Sequence, residues 1–160
     1  MEKKMWLTGC TTVLAVIVLA GSAWGHCQIP CGIYGDQMRF DSMREHVTTI
    51  EKSMRKIVEL GAREQPEYNQ LVRWVTNKEE HASKLNEIVT FYFMAQRVAP
   101  VEDLDSPEGK RYTEQITLLH RIMVEAMKAK QTTDQTHVQN LRDLITEFEH
   151  RYMHGKEHAH

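Results

Sequence analysis

The sequence predicts an all-α protein, an antiparallel four-helix bundle preceded by an irregular N-terminal segment. Apolar residues recur at spacings of three and four along four separate stretches, and no window alternates convincingly at period two. All but one of the connections are short, and no internal repeat is present. At 160 residues and 41% hydrophobic, the chain is long enough for one domain with a modest core and too apolar for wholesale disorder. Its 20 Lys+Arg against 22 Asp+Glu and a pI near 6.5 leave no electrostatic footprint for nucleic acid. Three cysteines are too few for a disulfide-stapled miniature scaffold.

Residues 1–25 are expected to be a leader rather than part of the domain. Lys3 and Lys4 precede an uncharged run in which VLAVIVLA is continuously apolar, and Ala23 and Gly25 offer a small-residue exit. A basic start, a short apolar stretch and a small-residue exit make a secretory signal peptide. A membrane anchor is the rival reading, but Thr11, Thr12, Gly21 and Ser22 thin the run at both ends. LTGC resembles a lipoprotein box yet precedes most of the apolar run, so Cys10 is read as an ordinary leader residue. Cleavage after Gly25 removes Glu2, Lys3 and Lys4, leaving 18 basic and 21 acidic side chains on a chain that begins at His26. Only Cys27 and Cys31 then remain of the cysteines. The expected product is exported, periplasmic or extracellular, with no stable membrane association after cleavage; a cytoplasmic protein with a removable leader is the alternative.

The bundle is expected over residues 37–155. In its first helix Met43, Val47, Ile50, Met54 and Ile57 form one face, and Gly61 stops it. Pro66 opens a second helix, with Leu71, Val75, Ala82, Leu85, Val89 and Tyr92 along its stripe, running to about residue 98. VAPVEDLDSPEG is the one long connection; Ser106 then caps a third helix with Pro107 in its first turn. That helix carries Tyr112, Ile116, Leu119, Met123 and Ala126. Thr133 is expected to cap the fourth, which displays Val138, Leu141, Ile145, Phe148 and Tyr152 before Gly155. The methionines on these stripes read as core packing. Residues 156–160 continue a His-containing tail, HGKEHAH, in which His154, His158 and His160 stand close in sequence. His46, His120, His137 and His150 are expected on separate helices, as surface or satisfied residues with no partner one turn away. No Gly-rich phosphate loop, Ser-His-Asp set or Cys-x-x-Cys pair is present.

The chemistry concentrates in residues 26–36, ahead of the first helix. Cys27 and Cys31 supply two thiols four positions apart, and a freed His26 supplies an α-amine and an imidazole. The amide nitrogen of Cys27 lies between amine and thiolate, so the three can close adjacent chelate rings. Amine, amide nitrogen and two sulfurs make a planar set with the imidazole available along the axis, which suits Ni(II) or Cu(II) better than tetrahedral zinc. Pro30 restricts the turn, Gly32 relaxes it, and Tyr34 brings a phenol to the open side. A Cys27–Cys31 disulfide is the competing reading of the same spacing in an exported protein.

The run His-Cys-x-x-Pro-Cys-Gly-x-Tyr directly after a removable leader resembles the nickel hook of nickel-dependent superoxide dismutases. NKEEHASKL and FYFMAQR resemble second-helix segments of some members. The resemblance implies a superoxide dismutase that is a homohexamer of four-helix bundles, with one nickel ion per subunit cycling between Ni(II) and Ni(III). By it, His26 gives amine and axial imidazole, Cys27 its amide nitrogen and thiolate, and Cys31 the second thiolate. Tyr34 lines the pocket for superoxide, and Gln28 stands where Asp is frequent. Asp41 and His81 correspond to a first-helix carboxylate and a second-helix basic partner of the imidazole, Asp41 only if one residue is deleted after Tyr34. A leader peptidase is the implied maturation partner. The alternative function is an exported nickel- or copper-binding or metal-delivery protein without turnover, to which the His-containing tail lends some support.

Overall fold

The computed structural model describes residues 35–157, with side chains to residue 154. Four antiparallel helices follow in order: α1 (Asp36–Gly61), α2 (Tyr68–Glu87), which continues as a π-helical segment (Ile88–Arg97), α3 (Pro107–Gln131) and α4 (Thr136–Glu157). Each helix packs on the next, and α4 closes the ring onto α1. Among the described residues there is no strand, and no helix is long and apolar enough to cross a membrane.

The helix starts follow capping chemistry where the sequence supplies it. Ser106 Oγ accepts the Gly109 N–H at 3.0 Å, with Pro107 in the first turn, as its Ser-Pro pair predicts. Gly109 is also where the long connection crosses the helix: a Cβ there would lie 2.2 Å from the Asp103 carbonyl oxygen. Pro66 does not open α2. It lies in the preceding turn, its carbonyl accepting the Tyr68 N–H, and Glu67 occupies the cap. Thr133 does not cap α4 either; Asp134 Oδ1 accepts the Thr136 N–H at 2.9 Å, a shorter loop back onto the backbone.

The core keeps the predicted face of α4, with Val138, Leu141, Ile145, Phe148 and Tyr152 all buried. On α1, Phe40, Met43, Val47, Ile50 and Met54 are buried, while Ile57 is only half-buried. On α3 the buried line is shifted to Leu118, Leu119, Ile122, Ala126 and Ala129, with Tyr112, Ile116 and Met123 packed at its edge. The predicted stripe of α2 is incomplete at its start: Leu71 is half-buried and Val75 exposed, beside the exposed Tyr68 and Val72 that lay outside it. Lys78 shows why. Its buried ammonium donates to the carbonyls of Lys130 (2.5 Å) and Thr132 (2.9 Å), so it already stands level with the end of α3. Residues 68–77 continue past that end, and an apolar stripe there has no third helix to cover it.

Two further departures matter for function. The second helix changes to π geometry at Ile88, where an uninterrupted α-helix was expected. The Val98 N–H reaches back five residues to the Phe93 carbonyl at 2.9 Å, the π-helical spacing. The last helix runs through Gly155 to Glu157 rather than stopping at Gly155. His154 therefore belongs to α4, one turn beyond His150, which corrects the reading of His150 as partnerless and of His154 as tail. His137 and His150 share that helix rather than lying on separate ones.

Candidate metal centre

His26, Cys27, Cys31 and Tyr34 lie outside the described residues. The description begins at Gly35, the extended residue that precedes α1 (φ −64°, ψ 144°), immediately after Tyr34. What the structure places is the end of the bundle from which the N-terminal segment departs.

That end is built on aromatic rings. Phe40 of α1, Phe93 of the π-helical segment, and Phe148 and Tyr152 of α4 pack with ring centroids 4.9–5.9 Å apart. Above them sits Asp36, the first residue of α1, where a carboxylate also suits the helix dipole. Its carboxylate accepts the Tyr92 hydroxyl at 2.7 Å and the Tyr152 hydroxyl at 3.1 Å, and the Arg97 guanidinium stands 3.1 Å away. Arg97 donates in turn to the Tyr92 oxygen at 3.1 Å. The π-helix makes this possible. Residues five apart are misaligned on an α-helix, but π geometry brings Arg97 over Tyr92, 5.1 Å from the ring centroid. Arg39 adds a second cation 5.0 Å from the same ring. Burial, followed by the bond to Asp36, raises the Tyr92 phenol above its ordinary value, so it remains a donor at neutral pH. The π-helical segment and α4 are thereby tied to the first turn of α1, two residues after Tyr34.

The two described site candidates do not meet. Asp41 is exposed on the flank of α1 that faces α4: it accepts from Gln37 Nε2 at 3.2 Å and Arg44 at 3.4 Å, and both donors also bond Glu149. His81 sits instead against the other flank of α1, where its Nδ1 lies 3.0 Å from Nδ1 of His46. The two rings stand 5.0 Å apart, nearly edge to face. Burial first, then the neighbouring His81 and Lys84, lower His46 below its ordinary value, so it is neutral at pH 7. One of the facing nitrogens therefore carries the proton and the other accepts it. His46 also lines a cleft of about 410 Å³ with Arg39, Ser42, Lys84 and Tyr92. Neither this pairing nor the Asp36 network was visible in periodicity, although FYFMAQR does contain Phe93, Tyr92 and Arg97.

His137 is satisfied, as expected of it: its Nδ1 lies 2.8 Å from the buried carboxylate of Glu125, which also accepts from Lys128 at 2.9 Å and Asn140 at 3.2 Å. Among the described residues, no three His, Cys, Asp or Glu side chains converge as a metal site. The softest donors in the sequence for a borderline transition metal are the thiols of Cys27 and Cys31, outside the described residues.

The fold is an up-and-down four-helix bundle, an architecture that hosts metal-dependent oxidoreductases among other functions. The profile of the nickel-containing superoxide dismutases matches residues 20–156, and the chain belongs to that family. No curated protein and no solved structure shows a match to it.

Proposed function

We propose that residues 26–34 are the nickel-binding hook of this superoxide dismutase, with one nickel ion per subunit. The reading is carried by one observation: the family match extends over residues 20–156 and so takes in His26, Cys27, Cys31 and Tyr34 in the order the hook requires. In this reading residues 1–25 are removed by a leader peptidase during export to the periplasm or cell exterior, and the mature subunits assemble as a hexamer. Processing supplies a ligand, because only cleavage before His26 converts its backbone nitrogen from amide to amine.

The reaction combines two superoxide anions and two protons to give dioxygen and hydrogen peroxide. Bound nickel supplies the one-electron exchange, between its divalent and trivalent states. The chain supplies everything else. With nickel bound, the Cys27 and Cys31 thiolates, the Cys27 amide nitrogen and the His26 amine and imidazole would hold it, and their charge would favour the higher oxidation state. The Tyr34 phenol would donate a hydrogen bond to a small anion beside the metal. Asp36, held by Tyr92, Tyr152 and Arg97, gives the hook a rigid base, so that Tyr34 departs from a fixed point. Asp41 and His81 remain the candidates for holding the imidazole, and because they lie on opposite flanks of α1 only one of them can do so within a subunit; we assign the role to His81. His46 engages Nδ1 of His81 and leaves its Nε2 as the second hydrogen-bonding atom.

Replacing Cys27 and Cys31 together by Ser in the processed chain tests the assignment. Dismutase activity and the thiolate-to-nickel charge-transfer absorption should both disappear while the helical circular dichroism stays unchanged. Retention of activity would place the reacting metal elsewhere and overturn the reading.

A further inference from the structure

We propose that the last turns of α4 carry a second transition-metal site, built on His150 and His154 and separate from the hook. Both residues lie on the exposed face of a continuous helix, one turn apart, with ring centroids 4.4 Å from each other. Their separation suits chelation. With metal–imidazole bonds of about 2.0–2.1 Å, two rings bound side by side on one ion have centroids about 4.5 Å apart. The pair needs little rearrangement to close on an ion, because both Cα positions are already fixed by the helix. In the sequence His158 repeats the same four-residue step, which gives a run of three imidazoles at i, i+4 and i+8.

The chemistry selects the occupant. Neutral imidazoles bind nickel, copper and zinc in their divalent states, and bind calcium and magnesium poorly because those ions require oxygen. Two imidazoles leave the remaining coordination positions to water or a further donor, so this is a site that takes up and releases metal rather than a closed structural one. It also lies at the right end of the bundle for that. Tyr152, between the two histidines in sequence, bonds Asp36 at 3.1 Å, which sets this turn of α4 beside the residues that directly follow Tyr34. The site does not depend on whether the hook turns over superoxide.

The test is equilibrium dialysis of the processed full-length chain against Ni(II) alone, with the hook silenced by Cys27→Ser and Cys31→Ser. That protein should still bind one Ni(II), and adding His150→Ala and His154→Ala should weaken the binding at least tenfold. A visible-region d–d spectrum of nitrogen-coordinated nickel should vanish with it, while the α-helical signal remains. Unchanged affinity in the histidine double variant would overturn the proposal. So would binding that survives there but is lost in His158→Ala/His160→Ala, because the tail alone would then hold the ion. Loss of all nickel in the Cys27→Ser/Cys31→Ser protein would confine binding to the hook and equally refute a second site.

Discussion

Replacing Glu125 by Gln removes one of the two oxygens that hold the α3–α4 seam together. Burial by itself pushes the Glu125 carboxyl up. The hydrogen bonds from Lys128, His137 and Asn140 outweigh that cost and hold it at about 2, against an ordinary 4.5. A folded-state value below the unfolded one means the stabilisation is fully present above pH 4.5 and is lost as the pH falls toward 2. Its size follows from about 1.4 kcal/mol for each pH unit of displacement, which gives about 3 kcal/mol at neutral pH. The Gln variant keeps the shape but offers three donors a single neutral acceptor, so it should be less stable by about 2–3 kcal/mol at pH 7. The assay is urea denaturation of metal-free protein at a series of pH values from 7 to 3, wild type beside variant. The two stability curves should converge as the pH drops below 4.5. Curves that run parallel across that range would show that Glu125 carries no such charge-linked stabilisation and would refute the reasoning.

Gly109→Ala should destabilise the fold by about 2 kcal/mol or more, because the new methyl meets the backbone of Asp103 and Leu104; thermal unfolding reads this directly. Lys78→Met removes the ammonium from two carbonyls at the end of α3 and should cost about 2 kcal/mol, visible as faster amide exchange at residues 128–132. Phe148→Ala should open a cavity in the aromatic cluster and cost about 3–5 kcal/mol in denaturant unfolding. His46→Phe preserves ring volume but frees Nδ1 of His81; it should lower kcat/KM several-fold and move the activity-against-pH profile, with nickel content unchanged.

Much of this architecture can be read from residue spacing, and the exceptions have local causes. The stripe of α4 is buried throughout because its 3.6-residue periodicity runs alongside neighbouring helices without interruption. The first ten residues of α2 show the same periodicity, yet Val75 is exposed because the relative lengths of α2 and α3 decide coverage, and a one-dimensional pattern does not contain them. Ser106-Pro107 is a legible cap because the hydroxyl acts on its own helix. Thr133 and Asp134 are equally suitable side chains one position apart, so the spacing does not tell which of them closes the turn before α4. The π-helical turn has no signature in apolar spacing, so the convergence of Arg97 on Tyr92 and Asp36 is legible only in three dimensions. The same holds for His46 and His81, which lie 35 positions apart and meet only because α1 and α2 pack antiparallel. The proposed donor set is different. Its residues are neighbours in the chain and lie outside the described residues, so the proposal for them rests on sequence chemistry and the family match.

The central claim is that His26 binds nickel through its own amine. The most direct measurement compares the chain processed to His26 with one carrying a single additional Ala before it, each assayed for nickel content, intact mass and superoxide disproportionation. The account predicts about one thiolate-bound nickel per chain, read by its charge-transfer absorption, and full activity for the processed form, and loss of both in the extended form, in which the His26 nitrogen is an amide. Equal nickel and equal activity in the two forms would contradict it.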